Sequence, residues 1–335
     1  MECSLSFASR KIEPVTATTA FLLDDVWPEY EAFICPRLHP DDQILTPGVL
    51  GRTLSRYDWS FARPTSTWPT LQRHLMMRRV AKAAGAVRQM AYLKSDKAIA
   101  EEMARRLDYR AKHLVIQQSF LPFLWRQGVL GGRTFDVLMT RYPLEDLHQR
   151  LDAFYAAHPE SATIHDFRAP PELVKDEAEA LDAARRVITP HHDIALGFGS
   201  RGFWLDWRRP PVLMRRQGTR VAFLGPTITR QGIHQAREIA GKLTHPMIVF
   251  GADLEGGNFW EGTRVERRRL RDNWMDGIAA IIHPAAVSHQ PRRLLQAVVH
   301  GIAIYALPSC GLAPREFKPI ESFVDPELAA GNNLS

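Results

Sequence analysis

Between residues 220 and 307 the chain alternates unbroken apolar runs with amphipathic helices, and this alternation restricts the fold more than any other feature. Arg220-Val-Ala-Phe-Leu-Gly, Pro246-Met-Ile-Val-Phe-Gly, Gly277-Ile-Ala-Ala-Ile-Ile-His-Pro and Ala303-Ile-Tyr-Ala-Leu read as strands. A strand with one wet face alternates apolar and polar residues, whereas a strand covered by helices on both faces does not. Between these runs, Gly232–Leu243 carries Ile233, Ile239, Ala240 and Leu243 on one side. Arg292–His300 does the same with Leu294, Leu295, Val298 and Val299. Strand and helix repeated in this way give a doubly wound parallel sheet. Arg267–Trp274 reads as a short basic helix within it.

The first half repeats the pattern less cleanly. Ala20–Leu23, His113–Gln117, Phe135–Thr140 and Arg186–Pro190 read as short strands. Helices are expected over residues 74–93, 97–107 and 170–184. The last opens on Pro170-Pro171 and crowds Glu172, Asp176, Glu177 and Glu179 into its early turns, which suits the helix dipole. Residues 205–219, rich in Pro, Gly and charge, read as a linker. With 335 residues the chain has room for two domains. The expected division is 1–205, 206–315 and a tail, 316–335, that crosses back to the first domain.

Charge and cysteine content narrow the setting. The net charge of +6 suits a phosphate-bearing ligand, and peripheral contact with an anionic membrane is compatible with it. Cys3, Cys35 and Cys310 are scattered and make no CxxC pair, so neither a disulfide framework nor a zinc ribbon is expected. The start, Met1-Glu-Cys-Ser-Leu-Ser-Phe, is no secretory leader, and no run is long enough to span a bilayer. A cytoplasmic location follows as the expectation. Arg264, Arg267–Arg269 and Arg271 form a basic stripe near Trp260 and Trp274. Glu261, Glu266 and Asp272 interrupt it, so a nucleic-acid partner is not expected.

Two glycine clusters differ in meaning. Gly197-Phe-Gly-Ser-Arg-Gly202 spells GxGxxG, but the dinucleotide fingerprint needs a strand before it and a helix after it. Here a helical segment precedes, and Pro210-Pro211 follows, so no nicotinamide or flavin is expected. Gly225-Pro-Thr-Ile-Thr-Arg-Gln-Gly232 links a strand to a helix start. Helix N-terminal amides attract anions, and glycine allows close approach of phosphate. Arg230 at that entry is a candidate partner for a diphosphate. His191 and His192 end a strand on the other side of the presumed cleft, and His191 is a candidate general base. Asp24-Asp25 lacks the spacing of a metal-binding DxD, and no metal is expected.

On these residues the stretch 220–312 resembles the C-terminal domain of retaining GT-B glycosyltransferases of the family 4 type. Arg230-Gln-Gly232 stands where that family opens its phosphate helix. His283-Pro284, Ser288-x7-Gln296 and Gln296-Ala-Val-Val-His-Gly-Ile-Ala-Ile stand where it has Pro-Ser, Glu-x7-Glu and Glu-Ala-x-x-x-Gly-x-Pro-Val. Residues 172–190 are similar to an element of the family's first domain. The first 110 residues add little.

The resemblance implies an α/β protein of two Rossmann-like domains facing a cleft. It implies a nucleotide-diphosphate sugar as co-substrate, with no other cofactor, held by Gly225, Thr227, Arg230, Gly232, Gly251, His283, Ser288 and Gln296. The acceptor, a glycan, lipid or small molecule, would lie near Arg141 or His191. Both motif glutamates are replaced, by Ser288 and Gln296. A non-catalytic GT-B protein that binds a glycan, nucleotide or protein is therefore the second reading, and a nucleic-acid-associated protein the third.

Overall fold

The computed structural model describes residues 18–48, 55–62, 65, 67–83, 85–164 and 168–326. Cys3, the start of the chain and the end of the expected tail lie outside them. Among the described residues, two six-stranded sheets, every strand parallel to its neighbours, organise the fold.

The first sheet holds β1 (Thr19–Leu22), β2 (Gln43–Leu45), β3 (His113–Gln117), β4 (Thr134–Leu138), β5 (Arg186–Thr189) and β6 (Gly202–Trp204). Its order is β2-β1-β3-β4-β5-β6. Around it run α1 (Pro28–Ile34), α2 (Thr67–Arg79), α3 (Gly85–Arg106), α4 (Leu121–Arg126), α5 (Leu144–Ala157), α6 (Pro171–Ala183) and α7 (His192–Gly197). The second sheet holds β7 (Arg220–Phe223), β8 (Met247–Phe250), β9 (Val265–Arg268), β10 (Ile278–His283), β11 (Ala303–Ala306) and β12 (Lys318–Pro319), with α8 (Ile233–Lys242) and α9 (Arg292–Val299).

In the second sheet the order is β12-β11-β10-β7-β8-β9. The chain thus builds outward from β7 in one direction, returns, and builds outward from β10 in the other. The reversal leaves a crevice at the carboxyl ends of β7 and β10, where open α/β sheets bind ligands.

Strand residues divide by the period of two. Ala20 and Leu22 join one buried cluster on the first sheet, while Phe21 and Leu23 join another on its opposite face. That second cluster does not stop at the domain boundary. It continues through Trp27, Tyr30 and Trp207 to Ala222, Phe250, Leu294 and Leu312.

Several local readings change. The helix expected at 74–93 breaks after Arg79, and α3 runs straight through 94–97. Of the apolar positions expected to face the core, Leu75, Val80, Val87 and Met90, only Val80 is half-buried and the other three are exposed. The helix continues through Ser95-Asp96 because Asp96 is buried against Arg73, an ion pair that overrides weak helix propensity. Arg267–Trp274 is not a helix: Val265–Arg268 is edge strand β9, and Trp260 and Trp274 are buried. Charged side chains suit an edge strand. Residues 205–219 hold neither helix nor strand, but Trp207 is buried, its indole N–H bonded to the Gly311 carbonyl at 2.9 Å. Among the described residues, no helix is long and apolar enough to cross a membrane.

Candidate functional site

The GxGxxG stretch is a helix-to-strand connection. Gly197 ends α7, Gly199–Arg201 form a 3-10 turn, and Gly202 opens β6. A Cβ on Gly202 would lie 2.0 Å from the Ala195 carbonyl oxygen, so the glycine permits α7 to pack on β6.

The crevice of the second sheet is built by its loops. β7 is followed by Leu224-Gly225, and a Cβ on Gly251, just past β8, would meet the Gly225 carbonyl at 2.7 Å. The two strand ends therefore touch through glycine. Thr227 is fully buried, and its hydroxyl accepts the Trp260 indole N–H at 3.1 Å. Thr229–Gln231 form a 3-10 turn that carries Arg230. Gly232 follows at φ +72° as the N-cap of α8. A Cβ there would lie 2.0 Å from the Pro284 carbonyl oxygen, so this glycine locks the α8 entry onto the β10 loop. The Ala286 N–H donates to the Arg230 carbonyl at 2.9 Å and completes the join.

His283 is the last residue of β10 and is 8% exposed, with neither ring nitrogen hydrogen-bonded. Burial pushes its pKa down to about 4, so the ring is neutral at pH 7. An unpaired, buried imidazole at a strand's carboxyl end is costly unless something binds there. Gln296 on α9 accepts the Trp274 indole N–H at 3.2 Å.

The first domain reaches this crevice through the loop after β5. His191 is 1% exposed. Its Nδ1 accepts the Ile194 N–H at 3.3 Å, and its Nε2 lies 2.9 Å from the Ser288 carbonyl. Only the Nε2–H tautomer satisfies both contacts. Burial holds this group down to about 4. In this state the ring joins the domains, and accepting a proton at Nε2 requires the Ser288 contact to open. A Cβ on Gly311 would strike the same ring at 2.5 Å.

Around His289 the charges of Arg230 from the second domain and Arg141 from the first are both felt. Its pKa falls to about 3, first through burial and then through the charges of Arg230, Arg141 and His191. Arg141 follows β4 and is paired with the buried Glu177 at 2.8 Å. The cluster thus draws on residues after β4 and β5 in one domain and on the Gly225–Gly232 and β10–α9 loops in the other. At pH 7 its histidines are neutral and Arg141 is offset by Glu177, so the Arg230 charge and the place at strand ends are what suit an anionic ligand. His289 follows Ser288 directly, but nothing in its local sequence distinguishes it from a surface residue.

Asp24-Asp25, at the carboxyl end of β1, is engaged in ion pairs. Asp24 binds Arg73 at 2.8 Å and Asp25 binds Arg56.

No protein-family profile matches this sequence, and no curated protein matches it. Solved structures do. The chain is similar to an α,α-trehalose-phosphate synthase (UDP-forming) from Burkholderia vietnamiensis, 10% identical over 95% of this chain and 90% of that one, with a TM-score of 0.50. It is also similar to an α,α-trehalose 6-phosphate synthase from Burkholderia multivorans, 9% identical over 96% and 91%, with a TM-score of 0.47. At such identities the likeness is one of architecture. Two parallel six-stranded sheets in this arrangement are the GT-B fold of glycosyltransferases.

Proposed function

We propose that the protein is a glycosyltransferase that takes a sugar from a nucleotide-diphosphate donor held by its second domain. The observation that carries this is the join, at the β7/β10 crevice, of the Arg230 turn to the β10–α9 loop through the Ala286 N–H, and of that loop to His191 of the first domain through the Ser288 carbonyl. The GT-B fold, shared with the UDP-forming synthase of Burkholderia vietnamiensis, supports the donor class. Kinship with family 4 is part of the same proposal and rests on the motif positions.

The diphosphate lies between Arg230 and the N-terminus of α8, where no acidic residue stands in the first helical turn. As the bond to the sugar breaks, negative charge grows on the leaving phosphate. A fixed guanidinium and helix amides stabilise that charge without reorganisation. His283 donates to, or accepts from, the donor at the top of β10. Gly225 and Gly251 keep the floor open, and Thr227 braces it through Trp260. Ser288 and Gln296 face ribose or sugar, Gln296 through its amide N–H groups, since its oxygen is bound to Trp274. The acceptor enters from the side of Arg141 and His191, and His191 serves as base once its contact with Ser288 opens.

Calorimetric titration with UDP, GDP, ADP and their sugar conjugates tests this reading. One nucleotide should bind saturably, and Arg230→Ala should weaken it roughly tenfold to a hundredfold, the range of a charged hydrogen bond. Binding without turnover across an acceptor panel would favour the non-catalytic reading. A folded protein that binds none of them would overturn the donor site.

A further inference from the structure

We propose that His158, Glu160 and His234 form a site for a divalent metal of the zinc class that ties the two domains together. His158 caps the end of α5 in the first domain, Glu160 follows it, and His234 is the second residue of α8 in the second. Among the described residues, one potential ligand atom from each lies within 4.8 Å of the others. The two imidazoles are stacked, their centroids 3.4 Å apart and their planes 6° from parallel. The His158 Nδ1 lies 3.6 Å from the Glu160 carboxylate.

Four ligands at about 2.1 Å around a tetrahedral ion stand roughly 3.4 Å from one another. The ligand atoms lie within 4.8 Å of one another, and since a metal binds in the plane of an imidazole, the two stacked rings must turn out of parallel to reach one ion while exposed Glu160 swings in beside them. Two imidazoles and one carboxylate suit zinc and its transition-metal neighbours, not magnesium or calcium. Three protein ligands leave a fourth position for water.

The loop that presents His158 and Glu160 is fixed against the second domain independently of any metal. The Thr229 N–H donates to the Thr163 hydroxyl at 3.2 Å. That hydroxyl in turn donates to Glu255, whose carboxylate also accepts the Ala162 N–H at 2.9 Å. The segments that carry ligands on opposite domains are therefore held beside each other beforehand, and only the side chains need to turn. The site does not depend on the sugar-transfer reading.

The test is calorimetry of the full chain, stripped with EDTA, against Zn²⁺ and Mg²⁺. One Zn²⁺ should bind per chain, with no heat from Mg²⁺. His158→Ala and His234→Ala should each weaken Zn²⁺ at least a hundredfold, and Glu160→Gln about tenfold. His245→Ala, an exposed histidine on another loop, should change nothing. Zn²⁺ should raise the melting temperature of the wild type and not that of His234→Ala. Circular dichroism establishes that each variant is folded, and a misfolded His158→Ala is replaced by His158→Gln. A wild type that binds no Zn²⁺, or a folded His234→Ala that binds it unchanged, overturns the proposal.

Discussion

Gly232 combines a left-handed backbone with a carbonyl where its side chain would be. The left-handed region costs a non-glycine residue about 1–2 kcal/mol, and the contact with Pro284 adds to that. Gly232→Ala should therefore lower the urea midpoint and also weaken nucleotide binding, because it displaces the α8 entry. Gly241→Ala in the same helix should not, since nothing lies within 4 Å of the Cβ it would carry. Urea titrations of the two variants side by side check this. At this scale the sequence was partly informative. A glycine between a strand and a helix start announces a close approach, so Gly225 and Gly232 stood out. The contact of His191 with Ser288 did not, because those residues are 97 positions apart and meet only through the packing of two domains.

Among the elements, α1 and α9 are joined by one ion pair across the domain boundary. Glu29, in the first turn of α1, takes both terminal nitrogens of Arg292, the first residue of α9, at 2.6 and 2.7 Å. It also accepts the Arg208 N–H at 2.8 Å. Removing one partner of a buried pair strands the other. Arg292 is one-third exposed, which softens the penalty. Glu29→Gln should cost about 2 kcal/mol, read as a lower urea midpoint. The second domain was legible element by element because its strands are uniformly apolar and its helices amphipathic. β9 was the exception, since Val265-Glu-Arg-Arg has the composition of a helix and is strand only because β8 offers a free edge. α5 was overlooked although Leu144, Leu147 and Leu151 mark its buried stripe. The weak apolar alternation across α2 and the start of α3 misled, because α2 is seated by the ion pairs of Arg73, whereas α3 buries its apolar face, Ile99, Ala100 and Met103, further along.

For the whole molecule, buried neutral histidines set the response to acid. His191 and His283 are held down to about 4 by burial, whereas in an unfolded chain each would protonate near 6.5. Between those values the unfolded state binds protons that the folded state refuses. Stability is thus complete above pH 6.5 and declines as pH falls toward 4, by about 2 kcal/mol for each histidine at pH 5. Urea unfolding at pH 7.5 and pH 5 should show the decline, and His283→Gln should reduce it. The same apolar cluster that passes from Trp27 through Trp207 to Leu312 bears on how the gene can be divided. A chain beginning at residue 206 would present Trp207, Leu312 and their neighbours to water with nothing to cover them, and would aggregate when expressed alone. The two halves are separate in topology yet inseparable in solution, so calorimetric melting should show one transition where the sheet count suggests two.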